Sequence, residues 1–333
     1  MKTTSINVMN LCVPCECHCR YCLLSWSNRL LGIDYERSVA YASRFYEWIK
    51  KNRPDLQYAF YFGYSMEHPK LLESIDFMRS VESPGGEMLQ FDGMKFRNNE
   101  EIRALLTGIM EHGIKHINMT IYGTEEYHDR FAARKGDFRY LIRILAIANE
   151  LGLPASVGIP LNQENANQID ELVDFLQQYT LTRLSIFVPH SEGRGATLDS
   201  VRFRQEDFEN LQEKTKKYFN PKIYRTEAEW VAFRDFVSWE NRLLTISLTP
   251  ENVEMFENMN FEQAISYLEE LDENYYNNIP SLEALVEQYG DKENTQYYSQ
   301  RDLYLKYQRM YIKEHQLDIY DVNDERQCFS RHY

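Results

Sequence analysis

Cys12–Cys22 reads CVPCECHCRYC, and it holds five of the chain's six cysteines. Within it Cys15, Cys19 and Cys22 are spaced C-x3-C-x2-C. Three thiolates on one short loop suit a four-iron iron–sulfur cluster that keeps one iron without a protein ligand. Such an iron is free to bind a small molecule, which makes the site chemical rather than structural. A zinc knuckle is the bland alternative. It wants four ligands, and Cys12, Cys17 or His18 is available as the fourth. Against it stands the tight, asymmetric spacing, unlike a pair of C-x2-C knuckles.

Around the loop, the chain alternates between two periods. Residues 5–11 are partly apolar and read as a first strand ending at the cysteines. Residues 35–51 carry Val39, Ala42, Phe45, Tyr46 and Ile49 at helical spacing. Gln57–Phe62 is aromatic and strand-like. Pro69 opens a helix with Leu72, Ile75 and Met78 on one face. Then come a strand at Met88–Phe91, a helix at Asn99–His112 closed by Gly113, and a strand at His116–Tyr122. A helix at Phe138–Leu151, closed by Gly152, leads to a strand at Ala155–Pro160. A helix at Asn165–Tyr179 and a strand at Arg183–Val188 complete the series. Six alternations predict an α/β fold with a parallel sheet and helices on its outer face. Ligand sites of such folds lie at the carboxyl ends of the strands, where the cysteine loop falls.

Beyond residue 200 the pattern changes. Arg204–Phe219, Phe261–Leu271, Ser281–Tyr289 and Arg301–His315 read as helices, and Leu243–Leu248 as a strand candidate. The division expected is therefore residues 1–199 and a mainly helical region, 200–333, covering the open side. Its tyrosines, such as Tyr275, Tyr276, Tyr297 and Tyr298, read as core or as the lining of a substrate pocket.

Composition narrows the function further. The chain has 333 residues, 43% of them apolar, enough for a real core. Its 37 basic and 51 acidic side chains leave a net charge of −14, which argues against long nucleic acid as a partner. The N-terminus lacks a signal-peptide apolar run, and no stretch of about 18 apolar residues offers a membrane span. Clustered cysteines in an untargeted chain read as metal ligands in a reducing, cytoplasmic setting.

The C-x3-C-x2-C motif with Tyr21 before its last cysteine, at the head of a six-fold α/β pattern, resembles the radical S-adenosylmethionine (radical SAM) superfamily. The resemblance covers about residues 5–195. It implies a six-unit (βα)6 partial TIM-like barrel, a [4Fe-4S] cluster on Cys15, Cys19 and Cys22, and S-adenosyl-L-methionine chelating the open iron. It further implies cleavage of that cofactor to a 5′-deoxyadenosyl radical, which abstracts a substrate hydrogen. An electron donor of flavodoxin or ferredoxin type is implied as well.

Family motifs map onto this chain unevenly. Gly63–Pro69, GYSMEHP, stands where relatives hold the cofactor's amino group, so Gly63, Tyr64 and Ser65 are candidate contacts and Glu67 the nearest carboxylate. Gly85-Gly86-Glu87 spells that motif in the wrong place and reads as a loop. Asp92-Gly93 stands where relatives often have Asn-Gly. Tyr122–Phe138, with its His-Asp, Arg and Gly-x-Phe, resembles peptide-modifying relatives. For the cofactor carboxylate, Thr120 is the polar candidate. The usual arginine position is Ala132, so Arg134 or Arg130 would take that role. Gly158 and Ile159 would approach the adenosyl group with Asn162 or Asn165, and Phe187 and Val188 would flank the adenine. Cys12 and Cys17 read as packed free cysteines, Cys17 pointing away from the cluster. Cys328 is a candidate hydrogen donor, and one cysteine near the end speaks against an auxiliary cluster. His18, His68 and His128 lie in candidate site loops; no histidine is assigned acid–base work. The implied substrate is a peptide or peptide-derived natural product (crosslinked, epimerised or rearranged), or else a small metabolite. A non-enzymatic zinc or iron–sulfur module is the reading from another class.

Overall fold

The computed structural model describes residues 1–11, 15–22, 32–63, 65–83, 85–191, 193–238 and 241–319. Cys12, Tyr64 and Cys328 lie outside them, as does the side chain of Ser65.

The first half follows the expected alternation. β1 (Lys2–Leu11) is followed by α1 (Tyr35–Asn52), β2 (Gln57–Gly63), α2 (Leu71–Ser80), β3 (Met88–Gln90) and α3 (Asn99–Glu111). β4 (His116–Thr120), α4 (Glu125–Ala132), α5 (Asp137–Leu151), β5 (Ala155–Pro160), α6 (Ile169–Leu176) and β6 (Arg183–Phe187) continue it. Local chemistry explains the helix starts. Asp34 caps α1 by accepting from Arg37 N, and Asn98 with Glu101 forms a capping box on α3. α4 departs from the expected loop. Its ring positions Tyr127 and Phe131 are four apart and both buried, which gives a short amphipathic turn a reason to form.

The second half is more than helices. After α7 (Gln205–Glu209), α8 (Glu213–Lys216), β7 (Tyr224–Thr226) and α9 (Glu227–Phe233), the chain returns as β8 (Asn241–Leu248). It ends with α10 (Val253–Asn258), α11 (Phe261–Asn278), α12 (Leu282–Tyr289), β9 (Tyr297–Ser299) and α13 (Gln300–His315). The single helix expected over Arg204–Phe219 is two short ones, and Gln212 N, between them, donates to Asp170 instead of continuing a helix.

Two parallel sheets result, ordered β2-β1-β8 and β3-β4-β5-β6, so the described residues hold seven parallel strands. The seventh comes from the far end of the chain: β8 pairs with β1 from Lys2↔Asn241 to Asn10↔Leu248. One face of each strand is packed under helices. Ile6 and Val8 of β1, Leu244 and Ile246 of β8, and Ile117, Val157 and Ile186 of the other sheet are all at most 2% exposed. Each such side chain contributes roughly 1.5–3 kcal/mol by leaving water. α11 joins this core through Phe261, stacked on Phe45 at 4.6 Å and 7°. A second cluster gathers Trp230, Tyr275, Leu285, Tyr298, Leu303 and Tyr307, so Tyr275 and Tyr298 are core residues. Among the described residues no helix is long and apolar enough to cross a membrane.

Candidate active site

The cysteine loop is held by backbone bonds to two neighbours. Glu16 N donates to Gly93 O (2.8 Å), His18 N to Ala132 O (2.8 Å) and Arg20 N to Phe131 O (3.1 Å). With the loop so held, the Cys17 sulfur lies between those of Cys15 and Cys19. Gly93 follows β3 with φ +64°, and a Cβ there would stand 1.9 Å from Cys15 Sγ. Only glycine lets the two loops approach this closely.

Cys17 differs from expectation. It is 4% exposed, and it lies with the other sulfurs instead of pointing away from them. Its Sγ is 3.5 Å from Asp137 Oδ2 and 4.0 Å from Arg134 Nη1. Hydrogen bonds from the Cys15 and Cys19 thiols, helped by the Arg134 charge, hold the Cys17 thiol far below its ordinary range despite burial. The same contacts, with burial, push Cys15 and Cys19 up. Cys19 Sγ also accepts from Tyr122 Oη at 3.0 Å.

The stretch Tyr122–Phe138 folds into the support for this loop. His128 is fully buried; its Nδ1 accepts from Tyr122 N (3.1 Å) and its Nε2 meets Asp137 Oδ2 (3.1 Å). Asp129 caps the start of α5 by accepting from Gly136 N (2.5 Å) and Phe138 N (2.9 Å). Arg134 pairs with Asp137 (3.1 Å) and lies 3.8 Å over the Phe96 ring. Arg130 instead sits on the outer side of α4, 62% exposed, near Glu126 and over Tyr127. Of the two candidate arginines, Arg134 is the one beside the cysteines.

The remaining candidates fall as follows. Gly63 ends β2 opposite Leu11. Glu67 is engaged elsewhere: Arg97 grips both its oxygens (2.7 and 3.0 Å) and Lys95 N donates to one (2.9 Å). The proposed carboxylate contact to an amino group would have to compete with that fork. Thr120 N donates to Asp92 Oδ1 (3.0 Å), and its hydroxyl accepts from Gln90 (3.3 Å). Ile159 is buried in β5, and Gly158 leaves room for the Phe187 ring, 3.0 Å from where a Cβ would lie. Asn162 is buried against Tyr127 Oη, and Val188 is fully buried. Tyr21 packs edge-on against Tyr122 at 5.5 Å. Gly85-Gly86-Glu87 is a turn before β3, as expected.

Two further features emerge only in the structure. The first is a polar ladder on the face of β3–β5 opposite the helices. Ser156 Oγ donates to Asn118 (2.7 Å), Asn118 to Gln90, and Gln90 to Asp92. Withdrawal from water pushes Asp92 up to about 6, against the donors at Thr120 and Gln90. Period-two polar residues in these strands were the available clue. The second is a bolt past the end of β6. His190 Nδ1 meets the fully buried Asp302 of α13 at 2.9 Å, and Arg202 reaches Pro189 O (3.0 Å) and Tyr297 O (2.7 Å). Gly195, in the following turn, brings His190 O and Tyr21 O within reach of one absent Cβ.

The donor set fits an iron–sulfur cluster. Cys15, Cys19 and Cys22 are soft thiol ligands, half-buried on one pinned loop. Gly93 clears space at Cys15, and Tyr122 supplies a hydrogen bond to Cys19. Among the described residues, no three His, Cys, Asp or Glu converge closely enough to hold a single metal ion.

No protein-family model matches the chain, and no curated protein sequence does. Solved structures do match. Streptococcus suis SuiB bound to precursor peptide SuiA is 10% identical with a TM-score of 0.51, over 78% of this chain and 62% of that one. SuiB bound to S-adenosylmethionine is 12% identical with a TM-score of 0.46, over 74% and 51%. Escherichia coli coproporphyrinogen III oxidase (HemN), described as a radical SAM enzyme, is 14% identical with a TM-score of 0.38, over 65% and 50%. The chain thus spans half to about three fifths of their lengths. At these identities the likeness is one of fold alone, and it is the fold of SuiB that this chain shares.

Proposed function

We propose that this chain is a radical SAM enzyme that holds a [4Fe-4S] cluster on Cys15, Cys19 and Cys22 and binds S-adenosyl-L-methionine at the open iron. The observation that supports it most is the pinned three-cysteine loop on a fold shared with SuiB. When bound, the two groups supply reductive cleavage to a 5′-deoxyadenosyl radical, which removes hydrogen from a substrate. The chain's own part is binding, orientation and exclusion of water. Arg134, already beside the loop, is the better-placed arginine for the cofactor carboxylate, with Thr120 at the end of β4. Tyr21, Gly63, Ile159, Asn162, Phe187 and Val188 are proposed to line the cofactor's remaining surface.

In finer detail we read β1–β6 as a (βα)6 partial barrel, with β8 added beside β1 and the rest of residues 200–333 as its cover. The substrate we favour is a peptide or peptide-derived product. SuiB was solved with a precursor peptide, and the His-Asp…Gly-x-Phe stretch resembles peptide-modifying relatives. A flavodoxin- or ferredoxin-type donor and a cytoplasmic setting complete the reading. A second reading, a zinc or iron–sulfur module without catalysis, draws on Cys17 lying against Cys15 and Cys19.

Anaerobic reconstitution with iron and sulfide, followed by a 5′-deoxyadenosine assay, separates the two. The wild type should bind about four irons per chain and form 5′-deoxyadenosine from S-adenosylmethionine under strong reductant, and Cys15→Ala should do neither. Zinc in a four-thiolate shell, with no brown chromophore, refutes the enzyme reading.

A further inference from the structure

Tyr122 is restrained at every polar atom and at its ring. Its N donates to His128 Nδ1 (3.1 Å), and its carbonyl accepts from Asn165 Nδ2 (2.7 Å). Its ring lies 4.9 Å from the His128 ring at 26° and 4.7 Å from Phe131 at 35°. It is 4% exposed. The one polar atom left, Oη, is aimed at Cys19 Sγ at 3.0 Å. Behind it, His128 is itself held by Asp137, which Arg134 pairs. A hydroxyl placed with this many restraints is pre-organised, so its hydrogen bond to sulfur costs little further ordering.

We propose that Tyr122 sets the reduction potential of the cluster by donating a hydrogen bond to the Cys19 sulfur, which rests on Cys19 being a cluster ligand as proposed above. Added electron density in a reduced cluster falls partly on its sulfurs. A donor at a ligand sulfur therefore stabilises the reduced state more than the oxidised one, and the potential rises. Tyr122 is in this sense a positioning and tuning residue; it need not touch substrate.

The test uses the full chain reconstituted with iron and sulfide, without S-adenosylmethionine, in a redox titration followed by EPR. Tyr122→Phe keeps the ring and its packing and removes only the donor. Its midpoint should fall below wild type at unchanged iron content. Site-specific Tyr122→3-fluorotyrosine, with a more acidic hydroxyl, should move the midpoint the other way. Tyr127→Phe is the control: Tyr127 belongs to the same aromatic cluster, but its hydroxyl bonds Asn162 and not a cysteine. The inference is overturned if neither Tyr122 variant shifts the midpoint, or if Tyr127→Phe lowers it as much as Tyr122→Phe. Wild-type protein that assembles no cluster overturns the functional reading as well; a wild-type cluster indifferent to Tyr122 overturns this inference alone.

Discussion

Replacing Asp302 by Asn tests how the far end of the chain is fastened to the strands. Asp302 is fully buried at the start of α13. Its oxygens meet His190 Nδ1 (2.9 Å), Ser191 N (3.3 Å) and Ser299 Oγ (2.5 Å), with Arg202 Nη2 at 3.9 Å. Asp199 shares Arg202 with it, at 3.3 Å, and also lies 3.7 Å from Arg309. Burial alone would favour the neutral acid. His190, Arg202 and Ser299 outweigh it and hold Asp302 down to about 2, against an ordinary 3.8. Because the folded value is the lower one, the unfolded chain binds more protons in that interval. The stabilisation is thus present above pH 4 and lost as pH falls toward 2. At 1.36 kcal/mol per pH unit, it amounts to about 2 kcal/mol at neutral pH. Asp302→Asn keeps the shape and one acceptor but removes the charge. It should cost about 2 kcal/mol at pH 7, rising toward roughly 3–5 if Arg202 is left poorly paired. Urea unfolding of both proteins from pH 7 down to pH 3 reads this directly. Their difference should stay level down to about pH 5 and shrink below pH 4. A difference under about 0.5 kcal/mol at pH 7, or one that grows on acidification, would refute the reasoning.

Leu244→Ala should cost about 2–5 kcal/mol, since Leu244 is fully buried in the core shared by β1 and β8. The loss should move one cooperative transition seen alike by far-UV dichroism and tryptophan fluorescence; a second transition that stays in place would mean that β8 and β1 do not unfold together. Asp92→Asn should stabilise the cluster-free protein at pH 7, because Asp92's value, raised by burial to about 6, makes its ionised form unfavourable in the fold. Here the folded value is the higher one, so stability falls as pH rises from about 4 to 6, and the gain should be about 1–3 kcal/mol above that window. A variant no more stable than wild type at pH 7 in urea would show that Asp92 is better solvated than its surroundings indicate.

Sequence by itself determined most of the local elements and singled out the cysteine loop as the candidate site. Apolar periodicity marks which face of α1 is buried, and caps such as Asn98 and Gly152 mark where helices begin and end, because those signals are carried by residues within a turn of one another. Three thiols at C-x3-C-x2-C mark a candidate ligand loop for the same reason. Only the tertiary structure decided who faces whom. β8 lies beside β1 although more than two hundred residues separate them. Glu67 turns to Arg97, Cys17 joins the sulfurs, His190 meets Asp302, and Tyr122 meets Cys19. Each of these contacts closes a loop whose partner is selected by the path of the whole chain, and period-two or period-3.6 patterning carries no address for it.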